Sequence, residues 1–111
     1  MVLFLAGDVR WSGQLTAEAR FLGRTHRFST TWIALAAMTQ APVVPVFCRF
    51  GEDSRYHMEF RPPFTLPRDA QGESAASGHV QAFLDQLEEQ IRQYPADSNE
   101  YLFWEDETAA A

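Results

Sequence analysis

Residues 7–10 read Gly-Asp-Val-Arg, an acid and a guanidinium two residues apart on a segment that leaves an apolar run. The planar fork of Arg suits bidentate contact with phosphate or carboxylate, so Asp8 and Arg10 are candidates for an anion-holding loop. The plainer reading of the same residues is a solvated turn whose Asp caps neighbouring amides. A second group is Arg20, Arg24 and Arg27, with Phe21, Leu22 and Gly23 between the first two. Such a basic and apolar mixture can rest on an anionic membrane surface or grip an acidic carrier protein; the alternative is an ordinary solvated face. His26 reads as structural, and His57 as exposed on the polar side of a strand. The single cysteine, Cys48, excludes an internal disulfide and gives no metal cluster. Its neighbours Val46 and Phe47 lead us to expect a buried thiol.

The chain that must position these groups has 111 residues, 46% of them hydrophobic and 14% aromatic. That content argues for a folded chain, and the length for one domain burying roughly 65% of its unfolded surface. The formal charge of −6 is unevenly spread. Residues 1–61 carry seven Arg against five acids, and residues 62–111 carry two Arg against ten acids. A field of that sign disfavours nucleic acid as a partner. No apolar run approaches the ~18 residues needed to span a bilayer, and no signal peptide with a basic start is present.

Residues 2–6, Val-Leu-Phe-Leu-Ala, read as a short buried strand because the run is continuous rather than alternating. Gly7 to Gly13 form a loop. Ala17, Ala19 and Phe21 alternate along a second short strand that closes on Gly23. Ser29 or Thr30 is the expected N-cap of a helix carrying Ile33, Leu35, Ala36 and Met38, stopped by Pro42. The apolar strand at residues 42–50 is interrupted by Pro45, which belongs at an edge, a bulge or the start of the paired region. A turn at residues 51–54 leads into residues 55–61, where Tyr56, Met58 and Phe60 share one face and Arg55, His57, Glu59 and Arg61 the other. This half-exposed strand is expected to pair antiparallel with the one before it. A loop rich in Pro, Gly and Ser follows. Then Val80, Phe83, Leu84, Leu87 and Ile91 recur at helical spacing up to Pro95. The order predicts an α/β fold, a mixed β-sheet with flanking helices. Residues 105–111 are expected to be a disordered acidic and Ala-rich tail.

The acid-and-Arg loop at 7–10, followed by Ala-Pro-Val-Val-Pro-Val at 41–46 directly after a helix, resembles the glycerolipid acyltransferase superfamily. Within it, residues 20–50, the Tyr-His-Met-Glu-Phe-Arg-Pro-Pro-Phe stretch at 56–64, and residues 87–104 with their helix, Pro and Trp are similar to the lauroyl and myristoyl acyltransferases of lipid A biosynthesis. They are also similar to the lysophospholipid acyltransferases. The resemblance runs from residue 2 to about residue 104, and it implies the C-terminal portion of a glycerolipid-acyltransferase-like fold over residues 1–104.

What the resemblance implies is acyl transfer from an acyl thioester, on acyl carrier protein or coenzyme A, to a hydroxyl of a lysophospholipid or lipid A precursor. The work would be done at the cytoplasmic face of the inner membrane, with no cofactor. Arg10 would hold a phosphate or the pantetheine arm of the donor, Asp8 would orient it, and Arg20, Phe21, Gly23, Arg24 and Arg27 would contribute to substrate binding. Such enzymes use a His-x4-Asp or His-x4-Glu dyad in which His is the general base on the acceptor hydroxyl. The positions five after His26, His57 and His79 are Thr31, Pro62 and Leu84, so this chain lacks the dyad. In the family the dyad precedes the strand matched by residues 2–6. The expectation is therefore a fragment that acts with an upstream half of the same enzyme and no catalytic residue of its own. A Gly common in the family is replaced by Thr30-Thr31, the acid and Arg are one residue closer than usual, and the tail is acidic where the family's is basic. A different class of reading is a small non-enzymatic α/β module that binds lipid or a partner through its Arg-rich first half.

Overall fold

The computed structural model describes residues 2–10 and 13–94. The expected acidic tail, the aromatic group Tyr101, Phe103 and Trp104, and the helix-ending Pro95 lie outside the described residues. In chain order the elements are β1 (Thr16–Phe21), β2 (Arg24–Ser29), α1 (Thr31–Thr39), β3 (Val46–Phe50), β4 (Tyr56–Phe60), a 3-10 turn at Arg68–Gln71, and α2 (Glu73–Gln93).

The α/β character holds, but the sheet comes in two pieces. β1 pairs only with β2 and β3 only with β4, both antiparallel, as two two-stranded ladders. The segment 24–29, expected only as the approach to a helix, is a strand. Leu22 and Gly23 both take positive φ, at 53° and 78°, the conformation of a two-residue turn whose twist suits a hairpin. Gly23 is there because it adopts that backbone without strain.

Alternation places Ala17, Ala19 and Phe21 of β1 and His26 and Phe28 of β2 on one buried face. The Phe21 and Phe28 rings meet edge to face at 6.3 Å. α2 lays Ala76, Val80 and Leu84 on this face, three buried residues at helical spacing, and Ile33 and Ala37 of α1 close the cluster. The opposite edge of the α2 stripe secures the hairpin by hydrogen bonds. The Ser77 hydroxyl donates to the Glu18 carbonyl (2.6 Å), and Gln81 both accepts from the Arg20 N–H (2.9 Å) and donates to its carbonyl (2.8 Å). Glu88 accepts from the Leu22 N–H (2.6 Å). An edge strand whose groups would otherwise face solvent is thus satisfied by a helix rather than by a further strand.

α1 starts at Thr31 with Thr30 in the capping position, but the Thr30 hydroxyl makes no capping bond. The Ser29 hydroxyl accepts from the Thr31 N–H instead, at 3.4 Å. The helix ends on Gln40 in the left-handed region, whose N–H donates to the Ala36 carbonyl and whose side-chain amide donates to the Ala37 and Leu66 carbonyls. Pro45 stands just ahead of β3, where its carbonyl accepts from the Arg61 N–H at 2.9 Å. It is at the start of the paired region and needs no N–H of its own.

Three expectations are corrected. Residues 2–6 form no strand: they are unpaired in any ladder among the described residues and exposed, with Phe4 82% accessible. A continuous apolar run becomes a buried strand only between two partners, and the first bridge of the chain is at Arg10, to Phe28. Cys48 is exposed rather than buried. The reason is the third correction. The apolar face of the β3–β4 hairpin, where Cys48 opposes Met58 and Phe50 opposes Tyr56, points outward, with Tyr56 76% and Met58 57% accessible. It is the other face, with Phe47, Arg49, His57 and Glu59, that meets α2.

Candidate functional site

The Asp8–Arg10 segment is fixed by the backbone. The Ser29 N–H donates to the Val9 carbonyl at 2.8 Å, and Arg10 bridges Phe28 antiparallel. Residues 9 and 10 therefore form a rudimentary third strand on the free edge of β2, immediately before α1 begins. Upstream, Gly7 lies against Phe83 of α2. A Cβ there would stand 2.7 Å from the ring edge, so only a residue without a side chain lets the segment approach so closely.

An apolar groove of about 1220 Å³ opens beside this junction. Its walls are the exposed residues 2–6 and the segment around β3, and its base is the aromatic set of Trp32, Phe47 and Phe83. Phe47 stacks on Phe83 at 5.7 Å with 14° between planes, and Trp32 tilts against Phe83 at 6.3 Å. Asp8 and His79 are the ionisable groups of its Gly7 end, while Gln86 and Gln90 add neutral polar groups from α2. The Trp32 indole N–H is buried without a hydrogen-bond acceptor among the described residues.

The candidate residues do not gather at one place. The bridge sets Arg10 opposite Phe28, whereas Arg27, the next residue along β2 and opposite Glu18, belongs to the other face of the hairpin, so the ladder does not bring the two cations together. The Arg27 guanidinium donates to the Thr16 hydroxyl at 2.9 and 3.2 Å, which holds it at the base of β1. Arg24 lies three residues further along β2, about 10 Å at ~3.3 Å per residue, at the turn end. Arg20 joins it there, donating to the Gly23 carbonyl at 2.8 Å. Phe21 is 1% accessible and belongs to the core. His79, Trp32 and Phe83 were not singled out by sequence for the groove, because their helical spacing reads equally well as core packing.

No helix among the described residues is long and apolar enough to cross a membrane. A search of the curated proteins finds no match. The family model of the bacterial lipid A biosynthesis acyltransferases matches residues 1–103. The chain belongs to this family. Its residues therefore belong to an acyltransferase of the lipid A type, and the match takes in the acid-and-Arg loop, both hairpins and the whole of α2.

Proposed function

We propose that the chain serves the transfer of a fatty acyl group from an acyl thioester, on acyl carrier protein or coenzyme A, to a hydroxyl of a lipid A precursor or lysophospholipid. The observation that supports this reading is that Gly7 and Asp8 line an apolar groove of about 1220 Å³, with Arg10 two residues further along the same segment. An acyl chain gains by leaving water for an apolar trench, and the phosphate of its carrier arm gains from a guanidinium beside it. In this arrangement Arg10 holds the anionic part of the substrate, and Asp8 orients Arg10.

The base belongs to the His-x4-acid dyad, which a preceding segment of the same enzyme supplies. It takes the proton of the acceptor hydroxyl as the oxygen attacks the thioester carbon. The carbonyl re-forms and the thiolate leaves, taking up a proton. That segment packs against the exposed apolar residues 2–5 and the outward face of the β3–β4 hairpin. The assembled enzyme works peripherally at the cytoplasmic face of the inner membrane.

The test is acyl transfer by the dyad-containing enzyme with Arg10→Ala. The expected loss in kcat/KM is tenfold or more, or at least ~1.4 kcal/mol. Unchanged transfer by Arg10→Ala at full folding contradicts the reading.

A further inference from the structure

At the β3–β4 hairpin, a second and smaller cavity of about 260 Å³ adjoins the apolar groove, sharing Phe47, Arg49 and Gln90 with its lining. Phe47 forms its apolar side, and Arg49, His57, Glu59 and Gln90 supply its polar groups. Arg49 and His57 sit directly opposite one another in the ladder, so a cation and an imidazole share one wall.

The charges here can be paired off. The Glu59 carboxylate forms an ion pair with Arg61, Nε at 2.8 Å, though the geometry makes no hydrogen bond, and it accepts from the Gln90 amide at 2.7 Å; Gln90 is itself only 8% accessible. The Asp53 carboxylate takes His57 Nε2 at 3.0 and 3.1 Å and the Arg55 N–H at 3.1 Å. The His57–Asp53 pair is built into the turn. A Cβ on Gly51 would stand 2.6 Å from His57 Nε2 and 2.7 Å from Asp53 Oδ1, so the pair fits only because residue 51 has no side chain. What remains is Arg49. Its guanidinium lies 4.1 Å over the Tyr94 ring, a contact that fixes the cation without neutralising it. Among the described residues it makes no ion pair and donates no hydrogen bond.

We propose that this cavity is an anion site in which Arg49, with His57 beside it, binds a phosphate group. A half-buried guanidinium held by an aromatic ring and left with free N–H donors is matched by an acceptor that takes several of them at once, and phosphate does so with charge as well as geometry. His57, tethered through Nε2 to Asp53, lines the same wall as Arg49. The ring-stacked cation loses little side-chain freedom on binding, because the Tyr94 contact has already ordered it. The site borders the groove of the acyl-transfer reading, and its readout is binding alone.

The experiment is titration of the purified full chain with inorganic phosphate, followed by amide NMR shifts. A parallel arm measures co-sedimentation with phosphatidylcholine vesicles containing or lacking phosphatidic acid, which separates a free phosphate from a lipid headgroup. Saturable shifts at residues 49 and 57, or sedimentation that requires phosphatidic acid, are expected, with a tenfold or greater loss in Arg49→Gln and a smaller loss in His57→Gln. Arg49→Lys, which keeps the charge, retains part of the binding and covers the case in which Arg49→Gln fails to fold. Binding unchanged in folded Arg49→Gln, or no saturable response to either probe in the folded wild type, overturns the proposal.

Discussion

Gly7 lies against the edge of the Phe83 ring so closely that a Cβ on Gly7 would stand 2.7 Å from it. Through this contact α2 sets where the acid-and-Arg loop leaves the groove. Phe83 cannot readily yield, since Phe47 stacks on one side of it and Trp32 leans on it from another. Gly7→Ala should therefore cost about 1–3 kcal/mol as an overpacked site, and adding Phe83→Leu should restore part of the loss. Denaturant unfolding of the two variants and their combination checks this, because coupled sites depart from additivity.

Of the seven candidate binding residues, Phe21 and Arg24 should separate most clearly in stability. Phe21 is 1% accessible and touches Phe28, so Phe21→Ala should cost about 3–5 kcal/mol. Arg24 is exposed at the hairpin turn, and Arg24→Ala should stay within about 0.5 kcal/mol. Thermal melts of both variants distinguish a core residue from a surface one.

Gln81 completes the edge of β1 with two hydrogen bonds to the Arg20 backbone. Gln81→Ala removes both and leaves the Arg20 amide to water. The expected cost is about 1–2 kcal/mol, with faster hydrogen exchange at Arg20 than at the β1 amides that pair with β2. Exchange unchanged at Arg20 would show that α2 does not protect that edge.

The hydrogen bond from His57 holds the Asp53 carboxyl below its ordinary value of 3.8, aided by the Arg55 N–H and opposed by slight desolvation. A carboxyl with a depressed folded pKa stabilises the fold fully above its unfolded value, and that contribution disappears as pH falls through the folded one. The stability difference between wild type and Asp53→Asn should therefore shrink as pH falls below about pH 4. Urea midpoints across this range measure it, and a difference that grows on acidification would contradict the pairing.

The residues differ in how much of this they reveal. The antiparallel pairing of β3 with β4 and the Val80–Leu84 stripe are legible because the turn at residues 51–54 and periods of two and of about 3.6 residues state which strands meet and which side chains share a face. A period does not state which face is covered. Tyr56, Met58 and Phe60 alternate cleanly yet point outward, while Arg49, His57 and Glu59 face α2. β2 is not legible because Leu22-Gly23 lacks the Asn-Gly or Asp-Gly signature of a two-residue hairpin turn, and without the turn Arg24 to Ser29 reads as an approach to α1. Asp8 and Arg10 were legible as chemistry, but their company was not. The bridge that sets Arg10 opposite Phe28, far from the turn with Arg20 and Arg24, is a tertiary contact, invisible to local spacing.

The central claim is that the acid-and-Arg loop and the groove belong to an acyl-transfer site whose base comes from outside these residues. Its most direct test is transfer of a labelled acyl group from acyl carrier protein to a lipid A precursor. The 111-residue chain would be compared with the same chain joined to the preceding segment that carries His-x4-Asp or His-x4-Glu. The account predicts no transfer by the chain alone, transfer by the joined protein, and a tenfold or greater drop when Arg10→Ala is introduced there. Transfer by the 111 residues alone, or full transfer in the joined Arg10→Ala protein, would contradict it.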